Sequence, residues 1–123
     1  LPAEYGLSWL LPRQIGLPRA NDLLLTSRVF LSEEAEQLGL INRVIEAESL
    51  LSETRAYVKS MIDTVSPGSL KASRRQIYAD QHRSVDQAVA ESETLLQAMM
   101  KQNDYREGVA AFLEKRHPVW TDS

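Results

Sequence analysis

A mainly α-helical protein is what this chain predicts, from three observations. Amphipathic spacing recurs along most of its length, Gly and Pro punctuate those stretches as breakers, and only Leu40–Ile45 is rich enough in β-formers to read as a short strand. After Gly6, Leu7, Trp9, Leu10 and Leu11 make a short helix. It should end at Pro12 or soon after, because proline removes a backbone donor, and Gly16 closes it. Pro18 suits the first turn of a second helix carrying Ala20, Leu23, Leu24 and Leu25, which stops before Thr26 and Ser27. Arg28, Val29 and Phe30 form an extended connector. Ser32 is the expected N-cap of a two-turn helix, with Glu33 and Glu34 in its first turn and Gly39 at the left-handed position that ends it.

From about Glu48 to Thr64, Leu50, Leu51, Ala56, Tyr57, Met61 and Ile62 recur near helical spacing, and Ser66-Pro67-Gly68 ends that helix sharply. A basic amphipathic helix follows with Leu70, Ala72, Ile77 and Tyr78 beside Lys71, Arg74 and Arg75, whose charges read as a solvated face. Ser84 with Gln87 three places on fits a capping box opening a long helix with Ala88, Val89, Leu95, Leu96, Met99 and Met100. The last helix runs from about Asn103 to Lys115, its apolar stripe being Val109, Ala110, Phe112 and Leu113, and Pro118 limits its continuation.

A 43% hydrophobic and 25% charged composition is that of an ordered globular chain rather than a disordered one. The net charge of −3 sets a polyanion at a disadvantage, which argues against nucleic acid and against a helix-turn-helix reading of the short helices. No apolar run approaches a membrane span, and the absence of cysteine suits a reducing, cytoplasmic setting. His82 and His117 are isolated, so no metal site is expected, and no serine stands in a nucleophile-elbow context. The short helices before Gly39 cannot nucleate alone and read as caps on a larger body.

Specific residues then carry a resemblance. Leu11-Pro12-Arg13, Gly16, Ala20, Leu24, Thr26, Ala35, Gly39-Leu40-Ile41 and Val44 are followed, near the end, by Arg106-Glu107-Gly108, Ala111-Phe112 and Glu114-Lys115-Arg116. In this order they resemble the C-terminal half of the enoyl-CoA hydratase/isomerase (crotonase) superfamily over nearly the whole chain. The resemblance implies the C-terminal part of an α/β crotonase-like spiral fold with trimerising helices. Residues 1–66 would be the end of the spiral core, and 67–123 a helical oligomerisation region. It also implies an acyl-CoA thioester substrate whose enolate is stabilised by two backbone N–H groups. Those donors and the usual hydratase glutamate are expected upstream, in an N-terminal half of the same protein. Coenzyme A enters as part of the substrate, with no separate cofactor, and the assembly expected is a homotrimer or a dimer of trimers.

Within that resemblance Glu4 matches an acid of family members that shift double bonds in dienoyl-CoA substrates, and is the expected proton shuttle. On its own residues, Glu4 reads equally as a charge favouring the N-terminus of the helix after Gly6. Phe112 and Lys115 resemble family residues that reach the CoA adenine and phosphate, their plain alternative being a core aromatic and a solvated lysine. The rival to an enzyme is a non-catalytic helical oligomerisation module derived from the same fold.

Overall fold

The computed structural model describes residues 2–121, which are helical or irregular with no strand among them. They form two compact units, one running through Leu50 and the other beginning at Leu51.

The first unit holds α1 (Leu7–Ile15), α2 (Leu17–Thr26) and α3 (Ser32–Leu38). Tyr5 and Gly6 both adopt left-handed backbone, φ 52° and 78°, and turn the chain into α1. The Leu7 N–H then donates to the Glu4 carbonyl at 3.0 Å. Pro12 lies inside α1, and the helix runs three residues past it to Gly16, whose φ of 82° breaks the helix and starts α2. Pro18 occupies the first turn of α2, where its missing N–H costs nothing. Packing of α1 on α2 buries Ile15, Ala20 and Leu23, and Leu11, Phe30, Leu38 and Leu40 close around them. Arg28 ties α2 to α3. Its guanidinium donates to Asp22 at 2.9 and 3.0 Å and to Glu34 at 2.9 Å, and its hydrogen bonding to Glu34 holds that carboxyl below the usual carboxylate range.

Two expectations need correction here. Ser32 is the first residue of α3 rather than its cap, because the Leu31 carbonyl already accepts the Ala35 N–H at 3.0 Å. Leu31 caps in extended backbone without a side-chain hydrogen bond, and Ser32 Oγ donates to Glu33 at 3.3 Å instead. Leu40–Ile45 is irregular rather than a strand. A strand needs a partner for its backbone donors, and the Val44 N–H is taken by the Glu36 side chain at 3.0 Å. Gly39 does end α3 as expected: φ is 82°, and the Leu40 N–H reaches back to the Ala35 carbonyl at 2.9 Å.

The second unit contains α4 (Leu50–Thr64), whose first residue marks the junction, α5 (Pro67–Asp80), α6 (Val85–Met99) and α7 (Asn103–Glu114). Ser66 and Pro67 join α4 to α5 inside this unit. The Ser66 Oγ accepts the Ser69 N–H at 3.1 Å, and Pro67 takes the first helical position. α5 packs on α6, where Gln76 donates to Ser92 across the pair at 3.2 Å. The capping box of α6 is complete: Ser84 Oγ accepts from the Gln87 N–H, and the Gln87 side chain accepts from the Ser84 N–H at 3.1 Å. No residue of α4, α5 or α6 is buried, whereas α7 buries Asp104 and Ala111. No helix among the described residues is long and apolar enough to cross a membrane.

Candidate functional site

The three residues singled out by the sequence fall in different units: Glu4 in the first, Phe112 and Lys115 in the second. Glu4 is exposed and stands immediately before the left-handed Tyr5–Gly6 pair, with Tyr5 99% exposed. Its carbonyl, three residues ahead of Leu7, takes part in the turn that starts α1. No side-chain hydrogen bond caps that helix. α1 itself leaves Leu7, Trp9 and Leu10 exposed, and Arg13 lies over the Trp9 ring, 4.0 Å from its centroid. An acid held by a kinked backbone next in sequence to an apolar helix face can exchange a proton with a carbon acid laid along that face.

Phe112 and Lys115 both lie at the C-terminal end of α7, Phe112 in its last turn and Lys115 as its C-cap. Phe112 is 81% exposed within this unit. Lys115 ends the helix in left-handed backbone, φ 54°, and its N–H donates to the Phe112 carbonyl at 3.3 Å. Glycine is the usual residue there, and a lysine costs of order 1 kcal/mol more. Phe112 lines a groove of about 420 Å³, with Met99, Tyr105, Val109, Leu113 and Trp120 among its other walls. An aromatic ring and an ammonium thus stand three residues apart in sequence at this end of the helix.

A network the sequence left without a role fixes this end of α7. Arg116 donates to both Glu107 oxygens at 2.5 and 3.0 Å and to Glu114 at 2.6 Å, while Glu107 also accepts the Val119 N–H at 2.7 Å. The Arg116 hydrogen bonds, then that from Val119, hold the Glu107 carboxyl down to about 2. Further along, the Thr121 N–H donates to Asp104 at 2.8 Å, and Trp120 lies on Gly108, where an added Cβ would sit 3.6 Å from the indole. Residues 116–121 therefore run back along α7. The nine-residue spacing of Glu107 and Arg116 is the signal for this pairing, and it becomes informative only once Lys115 is known to reverse the chain. On α5, the Arg74 guanidinium sits 5.2 Å from the Tyr78 ring centroid, consistent with the basic residues there being an outer face. Among the described residues no cluster of His, Asp or Glu could hold a metal ion.

A family model for enoyl-CoA hydratase/isomerase matches residues 1–123. The chain belongs to the enoyl-CoA hydratase/isomerase family. A probable enoyl-CoA hydratase of Mycobacterium tuberculosis is 36% identical over 122 residues, covering 98% of this chain and 42% of that protein. Two crystal structures superpose on the whole chain, each over 48% of its own length. One is a probable enoyl-CoA hydratase/isomerase from Mycobacterium abscessus, with TM-score 0.92 and 27% identity. The other is an enoyl-CoA hydratase from Mycobacterium tuberculosis, with TM-score 0.88 and 32% identity. This chain thus spans less than half the length of these relatives. Its mainly helical structure has crotonase-fold enoyl-CoA hydratases as counterparts along its full extent.

Proposed function

We propose that the protein carrying this chain is an acyl-CoA hydratase/isomerase that works by enolate stabilisation, with Glu4 as the proton shuttle. The observation that carries this reading is the family match along residues 1–123. Removing a proton from the acyl chain conjugated to a thioester carbonyl, or adding the oxygen of a deprotonated water to the conjugated double bond, puts negative charge on the carbonyl oxygen, fixed backbone N–H donors stabilise that charge without reorganising, and protonation of the carbon then discharges it. The N-terminal half of the same protein is proposed to supply those two donors. Glu4 then moves the proton at the acyl carbon, while Phe112 stacks on the adenine of the coenzyme A and Lys115 pairs with its phosphate. Coenzyme A is part of the substrate in this scheme and not a separate cofactor.

The helices after Pro67 are proposed to assemble the protein as a homotrimer or a dimer of trimers. Support comes from α6, where Val85, Val89 and Leu96, with Met100 at the C-cap, fall on one side of the helix and are all exposed.

The test is turnover of an unsaturated acyl-CoA by the native polypeptide that contains these residues. Glu4→Gln should lower kcat by about 100-fold with little change in binding, the ordinary scale for losing a general acid or base. Unaltered turnover removes Glu4 from the mechanism. A native polypeptide of 13.9 kDa that assembles yet ignores coenzyme A thioesters would instead establish a non-catalytic helical oligomerisation module.

A further inference from the structure

Side chains do most of the work of holding the segment that follows α7. The Arg116 N–H closes the turn on the Ala111 carbonyl at 3.0 Å, and beyond it no backbone group of residues 117–121 bonds to another backbone group among the described residues. The Val119 N–H donates to Glu107 at 2.7 Å instead, and the Thr121 N–H to Asp104 at 2.8 Å. Arg116 donates to both Glu107 oxygens and, at 3.1 Å, to the His117 carbonyl. Of residues 116–121 only Pro118 and Trp120 are half-buried and the others are exposed, so little apolar surface holds the segment down. Trp120 lies against Gly108 and forms one wall of the groove of about 420 Å³. Two features weigh against this closed arrangement. Lys115 keeps a left-handed backbone that glycine adopts at lower cost, and Trp120 Nε1 is buried with no acceptor among the described residues.

We infer that residues 116–121 are a hinged strap, which opens about Lys115 as one piece while α7 stays folded, and that Glu107 is its catch. Opening leaves the backbone hydrogen bonds within α7 whole. A segment that buries little apolar surface and bonds its amides to side chains separates at a lower free energy than the helix beneath it unfolds. Glu107 sets the balance because it holds the strap at two places, the Arg116 guanidinium and the Val119 N–H. The Arg116–Glu107 pair leaves 39% and 22% of the two side chains exposed, so dissolved ions weaken it. Once open, the strap takes Trp120 off Gly108 and out of the groove wall, and it frees Asp104 from the Thr121 N–H. The groove therefore has a walled form and a wider one, and the catch sets their proportion.

The experiment is hydrogen exchange on the native polypeptide, read at the Val119 and Thr121 amides and along α7, without urea and in low urea. Both strap amides should be protected relative to free peptide, yet exchange at a rate that low urea leaves unchanged, whereas the slowest α7 amides speed up with urea. Glu107→Gln should speed the strap amides about tenfold. Arg116→Gln should do the same, and serves where Glu107→Gln does not fold, as judged by circular dichroism. Raising salt from about 50 to about 500 mM should speed them far more in the parent than in Glu107→Gln. Lys115→Gly should slow them about threefold, because glycine removes the backbone cost of the closed turn. Strap amides that share the rate of α7 and its urea dependence would show one cooperative unit and overturn the inference. Strap amides without protection in the parent overturn it too, since the strap would have no closed form. Exchange unchanged by Glu107→Gln and Arg116→Gln, or a salt response equal in parent and Glu107→Gln, removes Glu107 as the catch. Exchange unchanged by Lys115→Gly removes Lys115 as the hinge.

Discussion

Glu107 shows how far one side chain can be displaced from ordinary behaviour by its hydrogen bonds. Its ordinary value of 4.5 falls to about 2, first through Arg116 and then through the Val119 N–H, against a smaller opposing effect of burial. A lowered folded-state value means that the pair stabilises the fold fully above about pH 5, where Glu107 is ionised whether or not the chain is folded. As pH falls, the unfolded chain takes up its proton first, and the contribution is gone once the pH passes about 2. Thermal midpoints of the parent and Glu107→Gln should therefore differ most near neutral pH and converge on acidification. A gap that does not change with pH would show that the charge is not what the pair contributes. Glu4 contrasts with Glu107: exposed, and preceding two left-handed residues, it has a place fixed by backbone rather than by a partner.

Helix ends were legible wherever a breaker or a reciprocal cap stood in the sequence. Gly16, Gly39 and Pro67 act as read, and Ser84 with Gln87 forms the box their spacing announces. Because α6 has no buried residue, its N-terminal cap matters more than it would on a helix locked by a core. Ser84→Ala should cost about 1 kcal/mol, read as a lowered urea midpoint with an unchanged slope. No loss would mean that Gln87 and solvent suffice.

What stayed hidden has a common cause. Leu40–Ile45 has the composition of a strand, but strand formation depends on a neighbour the segment does not find, and Glu36 satisfies Val44 from a helix. Ser32 missed its cap by one residue because a helix can begin on a leucine whose carbonyl is free to accept. Glu107 and Arg116 both lie in the stretches that carry the family resemblance, yet their meeting depends on the left-handed Lys115, which no periodicity forecasts. Of the site, Phe112 and Lys115 were named from resemblance, whereas Trp120 on Gly108 came only from the folded chain.

For the molecule as a whole, burial is sparse. Among the described residues only Ile15, Ala20, Leu23, Ala35 and Ala111 are buried hydrophobics, and no large side chain is fully enclosed. In the proposed assembly such faces would leave water by association, at roughly 25 cal/mol for each Å² of apolar surface covered. On the proposed assembly, Val89→Glu with Leu96→Glu places two charges on the exposed stripe of α6 and should shift sedimentation toward the single polypeptide. An unchanged sedimentation profile would move the interface elsewhere.

The same sparseness has a consequence for handling the protein. If its greasy helices are completed by sister copies, dilution strips away part of what holds each copy together, and by mass action the melting midpoint should climb as the sample is concentrated. A midpoint indifferent to a hundredfold dilution, about the range a calorimeter and a fluorimeter span between them, would mean that every copy stands by itself.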